Sequence, residues 1–230
     1  MGIRWVISPR SILMRKRFLI LPGLALLAGT VFGVRAISDN GRPGGDPSAA
    51  SLKDGDILFQ QTGGEQGRAV QLATGSPWTH VGIVFMKDGQ WVVYEAVGPV
   101  RFTPLNEWTG QGADGHWVAK RWVGADRVDG AELSARLHKA GERFLGLPYD
   151  LPFGWSDDRI YCSELVWKMY AEGLGVHLCE PKPMRDHALG SPTVQRLMVE
   201  RYGTTPPLDE PMISPGALYE CDALRSVVEH

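Results

Sequence analysis

The sequence predicts an α+β domain built on an antiparallel sheet, and three observations predict it. Apolar, β-branched runs fill the first part of the body of the chain, and amphipathic helical patterns fill the second part. Two of the runs, residues 80–86 and 91–97, flank a short turn that contains Asp88-Gly89. Such runs around an Asp-Gly turn indicate a β-hairpin. Strands that come before the helices, rather than alternating with them, favour the α+β class.

Four strands are predicted in this first part. Residues 56–60 form a short strand, the hairpin supplies two more, and residues 116–123 supply another. Between the first strand and the hairpin, apolar residues fall at helical spacing, which predicts a short helix over residues 65–73. The sequence Thr-Gly-Ser-Pro at residues 74–77 then ends that helix.

Three longer helices are predicted after the strands. The first is indicated by apolar residues at i, i+4, i+7 and i+11: Leu133, Leu137, Ala140 and Phe144. A second covers Cys162–Leu174 and stops at Gly175. The third starts at Ser191-Pro192, an N-cap residue followed by proline at the first helical position, and runs to about Tyr202.

The N-terminus has the pattern of an export signal. Basic residues at positions 15–17 precede an uncharged apolar run over residues 18–34. The run is interrupted by Pro22-Gly23 and is short for a bilayer span of about 20 residues. We therefore expect residues 1–36 to be a signal peptide, with an uncleaved membrane anchor as the alternative. Either one places the protein in the periplasm or the cell envelope.

The remaining chain divides into a linker and one folded domain. Residues 37–50 are rich in Gly, Pro, Ser and Asp, which is typical of a flexible linker. Residues 51–230 are long enough for one hydrophobic core. The formal charge of −2 and the pI near 6.3 argue against nucleic acid as a partner. The sequence shows no metal-ligand spacing and no glycine-rich phosphate loop, so we expect no cofactor.

Cys162 is the strongest candidate nucleophile. It lies where an irregular segment becomes a helix, so its sulfur is exposed to the positive end of the helix dipole. That position lowers a thiol pKa and raises the fraction of thiolate, the reactive form. The free N–H groups of the first helical turn, which includes Ser163, could also bind a developing oxyanion. The alternatives are a buried cysteine that only packs, or a disulfide partner.

His80 is the best placed of the six histidines to act as a base, because it opens an apolar strand directly after a helix-breaking segment. Glu95 is the only charged residue in residues 91–97 and, by alternation, shares a face with Val93. A carboxylate that faces a core needs a partner, and His80 on the neighbouring strand can be that partner. The alternatives are a histidine bonded to backbone and a glutamate at the sheet edge, in water or paired with Arg101.

Cys179 and Cys221 are the other two cysteines of the exported part. An oxidising compartment permits one disulfide among three cysteines and leaves one thiol free. The sequence alone does not decide which two cysteines pair.

Several stretches resemble one family of hydrolases. They are Gly55-Asp56-Ile57-Leu58, Thr79-His80-Val81-Gly82-Ile83, Tyr94-Glu95-Ala96 and Tyr161-Cys162-Ser163-Glu164. Together they are similar to the permuted NlpC-type papain-like cysteine hydrolases, in which the histidine strand precedes the cysteine helix. Residues 95–100, 103–108 and 155–159 resemble the YiiX/YebB-like branch of that group. The resemblance covers about residues 52–224.

The resemblance implies a circularly permuted papain-like fold, with the antiparallel sheet packed against the helix that bears the nucleophile. It also implies a catalytic set of Cys162, His80 and Glu95, and it puts the backbone of Tyr161 near the oxyanion position. The third residue of the better-known NlpC peptidases is usually His or Asn, and here it is Glu. This departure argues against a direct transfer of the cell-wall peptidase role.

These observations predict an exported cysteine amidase or peptidase that forms a thioester on Cys162. Its expected substrate is an amide bond in a cell-envelope peptide or in an acylated molecule. The branch is also associated with lipid-like ligands, and the wider permuted group includes the lecithin:retinol acyltransferases. The alternatives are therefore a lipid-binding protein, or a lipid acyl hydrolase or acyltransferase, on the same fold.

Overall fold

The computed structural model of the protein describes residues 47–229. The strands in this range are β1 (Ile57–Thr62), β2 (His80–Lys87), β3 (Gln90–Glu95), β4 (Arg101–Pro104), β5 (Gly112–Trp122), β6 (Lys182–Pro183), β7 (Pro211–Met212) and β8 (Leu224–Glu229). The α-helices are α1 (Gly64–Thr74), α2 (Leu105–Thr109), α3 (Gly130–Gly141), α4 (Cys162–Leu174), α5 (Pro192–Tyr202) and α6 (Pro215–Tyr219).

Six of these strands form one antiparallel sheet in the order β4-β3-β2-β1-β5-β8. Strands β2 and β3 are the predicted hairpin, with Lys87 paired to Gln90 across the turn. The short strands β6 and β7 pair separately. The α+β class with an antiparallel sheet is therefore confirmed.

Alternate residues of the strands face two different cores, as the twofold period of a strand requires. On one face, Ile57, Phe59 and Ile83 belong to the larger core, which includes Leu165 and Met169 of α4. Helix α4, whose first residue is Cys162, is thus packed on the sheet, as the resemblance implies. On the other face, residues such as Leu58, Val84 and Val93 pack with Trp108 of α2.

Helices α4 and α5 have the predicted bounds. Ser191 caps α5 by accepting a hydrogen bond from the N–H of Val194 at 3.3 Å, and Pro192 is the first helical residue. A glycine in the left-handed conformation, Gly175 with φ of 69°, ends α4. The strands β4 and β8 were not predicted, because neither carries an alternating apolar pattern.

The predicted signal or anchor, residues 1–36, lies outside the described residues, as do residues 37–46 of the predicted linker. The last four linker residues belong to a 3₁₀ helix, Pro47–Ser51, and Ala49 is buried beside Leu52. Regular structure therefore begins at least four residues before the domain boundary that the sequence predicts. Within residues 47–229, none of the helices has the length and apolar character needed to span a bilayer.

Candidate active site

Cys162 is the first residue of α4, and Tyr161 is its N-cap. The side chain of Cys162 is buried, and its sulfur accepts hydrogen bonds from the backbone N–H groups of Val81 and Ser163. One of these donors belongs to the first turn of α4 and the other to β2. The close packing of α4 on β2 therefore surrounds the sulfur with N–H dipoles that favour its ionised form.

His80 is the first residue of β2 and is hydrogen-bonded to Cys162. Its Nε2 atom lies 2.6 Å from Oε2 of Glu95. Because Nε2 is held by the carboxylate, Nδ1 is the ring nitrogen left to face the sulfur. The structure thus brings together the three residues that the sequence singles out, in the order Cys162, His80, Glu95.

Glu95 is the last residue of β3 and is fully buried. Its second oxygen, Oε1, accepts a hydrogen bond from the hydroxyl of Thr103 at 2.5 Å. Arg101 also approaches this carboxylate, with Nε 3.9 Å from Oε1, and about half of its side chain is exposed. The carboxylate is therefore held on one side by His80 and on the other by β4, and it lies inside the protein as the strand alternation predicts.

Gly82 allows β2 and β3 to approach at this point. A Cβ atom at residue 82 would lie 2.5 Å from a methyl group of Val93 and 3.4 Å from Cβ of Glu95. Real Cβ atoms do not come that close to a neighbour, so a larger residue would displace β3. The glycine in the Thr-His-Val-Gly-Ile stretch therefore helps to set the distance between His80 and Glu95.

The environment shifts the pKa values of all three groups. Burial disfavours the charged form of each, but their mutual contacts outweigh burial. Burial lowers the pKa of His80, whereas its bonds to Cys162 and Glu95 raise it, with a net result of about 9. Burial raises the pKa of Cys162, yet the bond to His80 brings that pKa below its ordinary value. The pKa of Glu95 is lowered too, because His80 and Thr103 offset its burial. Near neutral pH these shifts favour a thiolate, an imidazolium and a carboxylate.

Two residues at the site were not anticipated from the sequence. The hydroxyl of Tyr149 is hydrogen-bonded to Cys162, and burial together with Cys162 raises the pKa of Tyr149 well above its ordinary value. Thr103 orients Glu95. Tyr149 follows Gly146-Leu147-Pro148 in an irregular segment, where no periodicity indicates a direction for its side chain.

Backbone pairing holds Tyr149 in place. The N–H of Asp150 donates to the carbonyl of Ile160, and the N–H of Ile160 donates to the carbonyl of Pro148, both at 3.2 Å. These bonds tie the loop of Tyr149 to the residues that lead into α4. The position of Tyr149 depends on pairing between distant segments, which a local pattern does not reveal.

Tyr161 and Ser163 both hold the same neighbouring segment. The N–H of Ile213 donates to the hydroxyl of Tyr161 at 3.1 Å, and Ser163 donates through Oγ to the carbonyl of Ile213 at 2.8 Å. Their side chains are therefore engaged with backbone, although both residues line the groove described next. The backbone N–H of Tyr161 donates to Oε2 of Glu164 at 3.4 Å. Of these two residues, only Ser163 therefore keeps a backbone N–H that faces the sulfur and remains a candidate for the predicted oxyanion role.

A groove of about 750 Å³, part of which is open to solvent, extends from Cys162. Its walls are mostly apolar, and many of the residues come from α1, α5 and the segment between α4 and α6. The apolar lining includes Ala69, Val70, Phe153, Met184, Leu189, Val194, Leu197, Met198, Ile213 and Pro215. Among the described residues, no tryptophan lines these walls, which are built mostly from smaller apolar side chains.

Other histidines have different surroundings. His138 packs on Phe85 with ring centroids 4.1 Å apart, and His116 stacks on Trp78 at 5.5 Å. His80 is the histidine that the described contacts place on Cys162.

Comparisons with known proteins identify the family and the fold of this chain. Residues 51–228 match the model of a family described as permuted papain-like amidase enzyme, YaeF/YiiX, C92 family. The uncharacterized protein YiiX of Escherichia coli (strain K12) is 41% identical over 175 residues, which cover 76% of this chain and 85% of YiiX. A crystal structure of yiiX from Escherichia coli O157:H7 is similar with a TM-score of 0.74 and 40% identity, over 78% of this chain and 98% of that one.

That crystal structure is described as one of a metalloprotein. Within residues 47–229 of this chain, no group of three or more His, Cys, Asp or Glu side chains is arranged to hold a metal ion. The family match spans most of the sequence, and the relative and the solved structure agree with it. This chain belongs to the C92 family of permuted papain-like amidases, and its fold is the permuted papain-like fold.

Proposed function

We propose that this protein is an exported cysteine amidase that forms a thioester on Cys162, with His80 as its acid and base and Glu95 as the residue that orients His80. The observation that carries the proposal is the buried contact of 2.6 Å between Nε2 of His80 and Oε2 of Glu95. The same imidazole is also hydrogen-bonded to Cys162. A nucleophile, a base and an orienting acid in hydrogen-bonded sequence are the parts that covalent acyl transfer requires.

In the first step, the thiolate of Cys162 attacks the carbonyl carbon of the substrate, and a C–S bond forms. The carbonyl oxygen takes the electron pair and becomes an oxyanion. His80 then donates its proton to the leaving amine, the C–N bond breaks, and a thioester remains on Cys162. In the second step, neutral His80 takes a proton from water, whose oxygen attacks the thioester. The acid product leaves, and the thiolate and the imidazolium are restored.

Donors for the oxyanion are close to the sulfur. The N–H of Ser163 is directed at Sγ of Cys162, and Tyr149 is hydrogen-bonded to the same sulfur. Because its pKa is raised, the Tyr149 hydroxyl stays protonated and can donate a hydrogen bond at any physiological pH. We assign Tyr149 and the backbone N–H of Ser163 to oxyanion and substrate binding.

The substrate we propose is an amide in which an acyl chain or an apolar peptide side chain enters the groove. The groove starts at Cys162 and is walled by apolar residues, among them Met184, Val194 and Leu197. Burying an apolar group there contributes about 0.8 kcal/mol per methylene. The export pattern at the N-terminus favours a cell-envelope source for such a molecule.

The same groove favours a second candidate, a lipid acyl hydrolase or acyltransferase, or a protein that binds lipid without turnover. An ester substrate would use the same thioester route, with an alkoxide in place of the amine as leaving group. A binding protein would have no need for the paired charges of His80 and Glu95, whose burial carries a desolvation cost. The amidase therefore remains the first proposal.

Mass spectrometry of the intact protein distinguishes these candidates. The purified protein would be mixed with three probes: N-acyl amino acids of graded chain length, the matching acyl esters and defined muropeptides. Rapid acid quenching traps the thioester. An amidase shows an added acyl mass on Cys162 and release of free amine from an amide probe, and both are lost in Cys162→Ala. Preference for the esters would favour the lipid hydrolase, and bound probe without any adduct or product would favour the binding protein.

A further inference from the structure

Two cysteines outside the active site lie side by side. Cys179 is in the loop after α4, and Cys221 follows α6. Their thiol groups are within hydrogen-bonding distance of each other. The thiol of Cys221 also donates to the carbonyl of Leu178, and Sγ of Cys179 lies 3.7 Å from the carbonyl of Ala217. Each sulfur thus lies beside the backbone of the segment that contains the other cysteine. A disulfide requires the two segments to be this close.

Cys162 is not a competing partner for either thiol. It begins α4, whereas Cys179 lies beyond the other end of that helix. At 1.5 Å per residue, the helix separates its two ends by roughly 18 Å. Cys162 is moreover held by His80 and by two backbone N–H groups. All three cysteines are free thiols in the structure, and its geometry favours Cys179 and Cys221 as the two that could pair.

We propose that Cys179 and Cys221 form a disulfide in the exported protein and leave Cys162 as the free thiol. The inference rests on the export that is part of the proposed function, since a reducing compartment would keep both thiols reduced. The oxidant is a disulfide of the thiol-exchange type. One cysteine thiolate attacks it to give a mixed disulfide and a released thiolate. The second cysteine then attacks the mixed disulfide, the Cys179–Cys221 bond forms, and the oxidant leaves as its dithiol form. The two cysteine protons end on the dithiol of the reduced oxidant, and two electrons pass to it.

The timing of this reaction follows from burial. Burial and the neighbouring Cys221 raise the pKa of Cys179 to about 12, so the folded, reduced protein holds little thiolate at this residue. Exchange requires the thiolate. The bond is therefore expected to form during folding, before Cys221 is buried and Cys179 is half-buried, and to resist reduction afterwards.

The bond would brace one wall of the groove. Residues 180–220 lie between the two cysteines and contain α5 together with the groove residues Met184, Leu197 and Ile213. A disulfide would join the two ends of this segment. The joined ends lie near the C-terminal end of α4, the helix that begins at Cys162. Closing a loop of this length stabilises the folded state mainly by restricting the unfolded chain. The disulfide would thus hold the wall of the substrate groove without touching the nucleophile.

Thiol counting tests the proposal on the unaltered chain. The protein would be refolded in a glutathione buffer, denatured and treated with iodoacetamide, with and without prior reduction. Without reduction, we expect one carbamidomethyl group, on Cys162, and a cross-linked peptide that joins residues 179 and 221. After reduction, we expect three carbamidomethyl groups. Three alkylated cysteines without reduction would overturn the disulfide. A bridge that includes Cys162 would overturn both the disulfide and the proposed function.

Variants separate the bridge from catalysis. Cys162→Ala should show no alkylation without reduction, because the bridge remains and the free thiol is gone. Reduction of the wild-type protein should lower the melting temperature by about 5–10 °C and speed proteolysis within residues 180–220. The Cys179→Ala/Cys221→Ala variant should not respond to reductant. If reductant lowered the melting temperature of that variant as much as that of the wild type, the stabilising role of the disulfide would be contradicted. Failure of the proposed amidase function would be seen as loss of turnover, and it would not change the number of alkylated thiols.

Discussion

The Nε2 atom of His80 lies 2.6 Å from Oε2 of Glu95, and both side chains are almost completely withdrawn from solvent. The contact joins the first residue of β2 to the last residue of β3. It fixes which nitrogen of the imidazole faces Cys162. It also provides the negative charge that keeps a buried imidazolium stable, which in turn favours the thiolate. The chemistry of the site therefore depends on the pairing of one hairpin.

The carboxylate of Glu95 is expected to be essential for rate. In Glu95→Gln, the amide can present a donor to Nε2 and favour the wrong tautomer, so kcat should fall by roughly 10²–10⁴-fold. The pKa of His80, now about 9, should fall because its anionic partner is lost. The alkaline limb of the kcat/KM profile should then move to lower pH, since the imidazolium is the form that stabilises the thiolate. The measurement is a pH–rate profile of both proteins.

Glu107→Gln is the matched control for that variant. Glu107 is exposed and contacts Arg101 at 3.8 Å, so it shares a neighbour with Glu95 but not its burial. Its pH profile should match the wild type. An unchanged profile in Glu95→Gln would show that Glu95 does not act through His80.

The hydroxyl of Thr103 should contribute to both stability and rate. Thr103→Val keeps the shape of the side chain but removes a hydrogen bond of 2.5 Å to a buried carboxylate. Such bonds to charged groups contribute about 1.5–3 kcal/mol. We expect the free energy of unfolding to fall by about that amount and kcat/KM to fall about 10-fold. Denaturant melts and kinetics measure the two effects. Thr109→Val loses only an exposed hydrogen bond to the carbonyl of Asn106, so it should change neither the free energy of unfolding nor kcat/KM.

Tyr149 is expected to support the transition state more than substrate binding. Removal of one donor from an oxyanion site lowers kcat by about 10²–10³-fold in other enzymes. Since backbone N–H groups share the task here, we expect a loss of about 10–100-fold in kcat for Tyr149→Phe, with little change in KM. Tyr219→Phe, on a tyrosine that packs on Phe59 and Trp78, serves as control. A loss confined to KM would contradict the assignment.

Gly82 should tolerate no larger residue. In Gly82→Ala the new methyl group would meet Val93 at 2.5 Å, so β3 must shift and the distance from His80 to Glu95 must change. Overpacking of this kind costs about 1–3 kcal/mol. We expect a lower melting temperature and a slower reaction together. Gly130→Ala, where the added Cβ meets nothing within 4 Å, should retain activity and stability. Full activity in Gly82→Ala would mean that the distance between His80 and Glu95 does not limit the reaction rate.

Local patterns predicted much of the fold. The hairpin was identified from two apolar runs around Asp88-Gly89, and the start of α5 from Ser191-Pro192, because these signals lie within a few residues of one another. Strand β8 was missed, since Leu224–Glu229 becomes a strand only by pairing with β5, about 100 residues earlier. The 3₁₀ helix Pro47–Ser51 was missed because glycine and proline nearby are typical of a linker, while the burial of Ala49 depends on the distant sheet.

The candidate site likewise contains residues that local patterns predicted and residues that only the tertiary structure reveals. Cys162, His80 and Glu95 each occur at the end of a regular element, where sequence patterns indicate a boundary. Tyr149 lies in a loop whose course is fixed by backbone bonds to Ile160, so no local signal marks it. Tyr161 and Ser163 were predicted beside the nucleophile, but their side chains bind the backbone of Ile213, a contact that only the tertiary structure reveals.

The pH dependence of Cys162 alkylation tests the central claim most directly. The rate of reaction with iodoacetamide would be followed from pH 5 to pH 10 by peptide mass spectrometry, in the wild type, in His80→Ala and in the control His116→Ala. The wild type and the control should react rapidly at a pH well below the ordinary thiol pKa of about 8.5, and His80→Ala should react only at higher pH. If all three proteins titrate together near the ordinary thiol value, Cys162 is not ionised by His80 and the account is wrong.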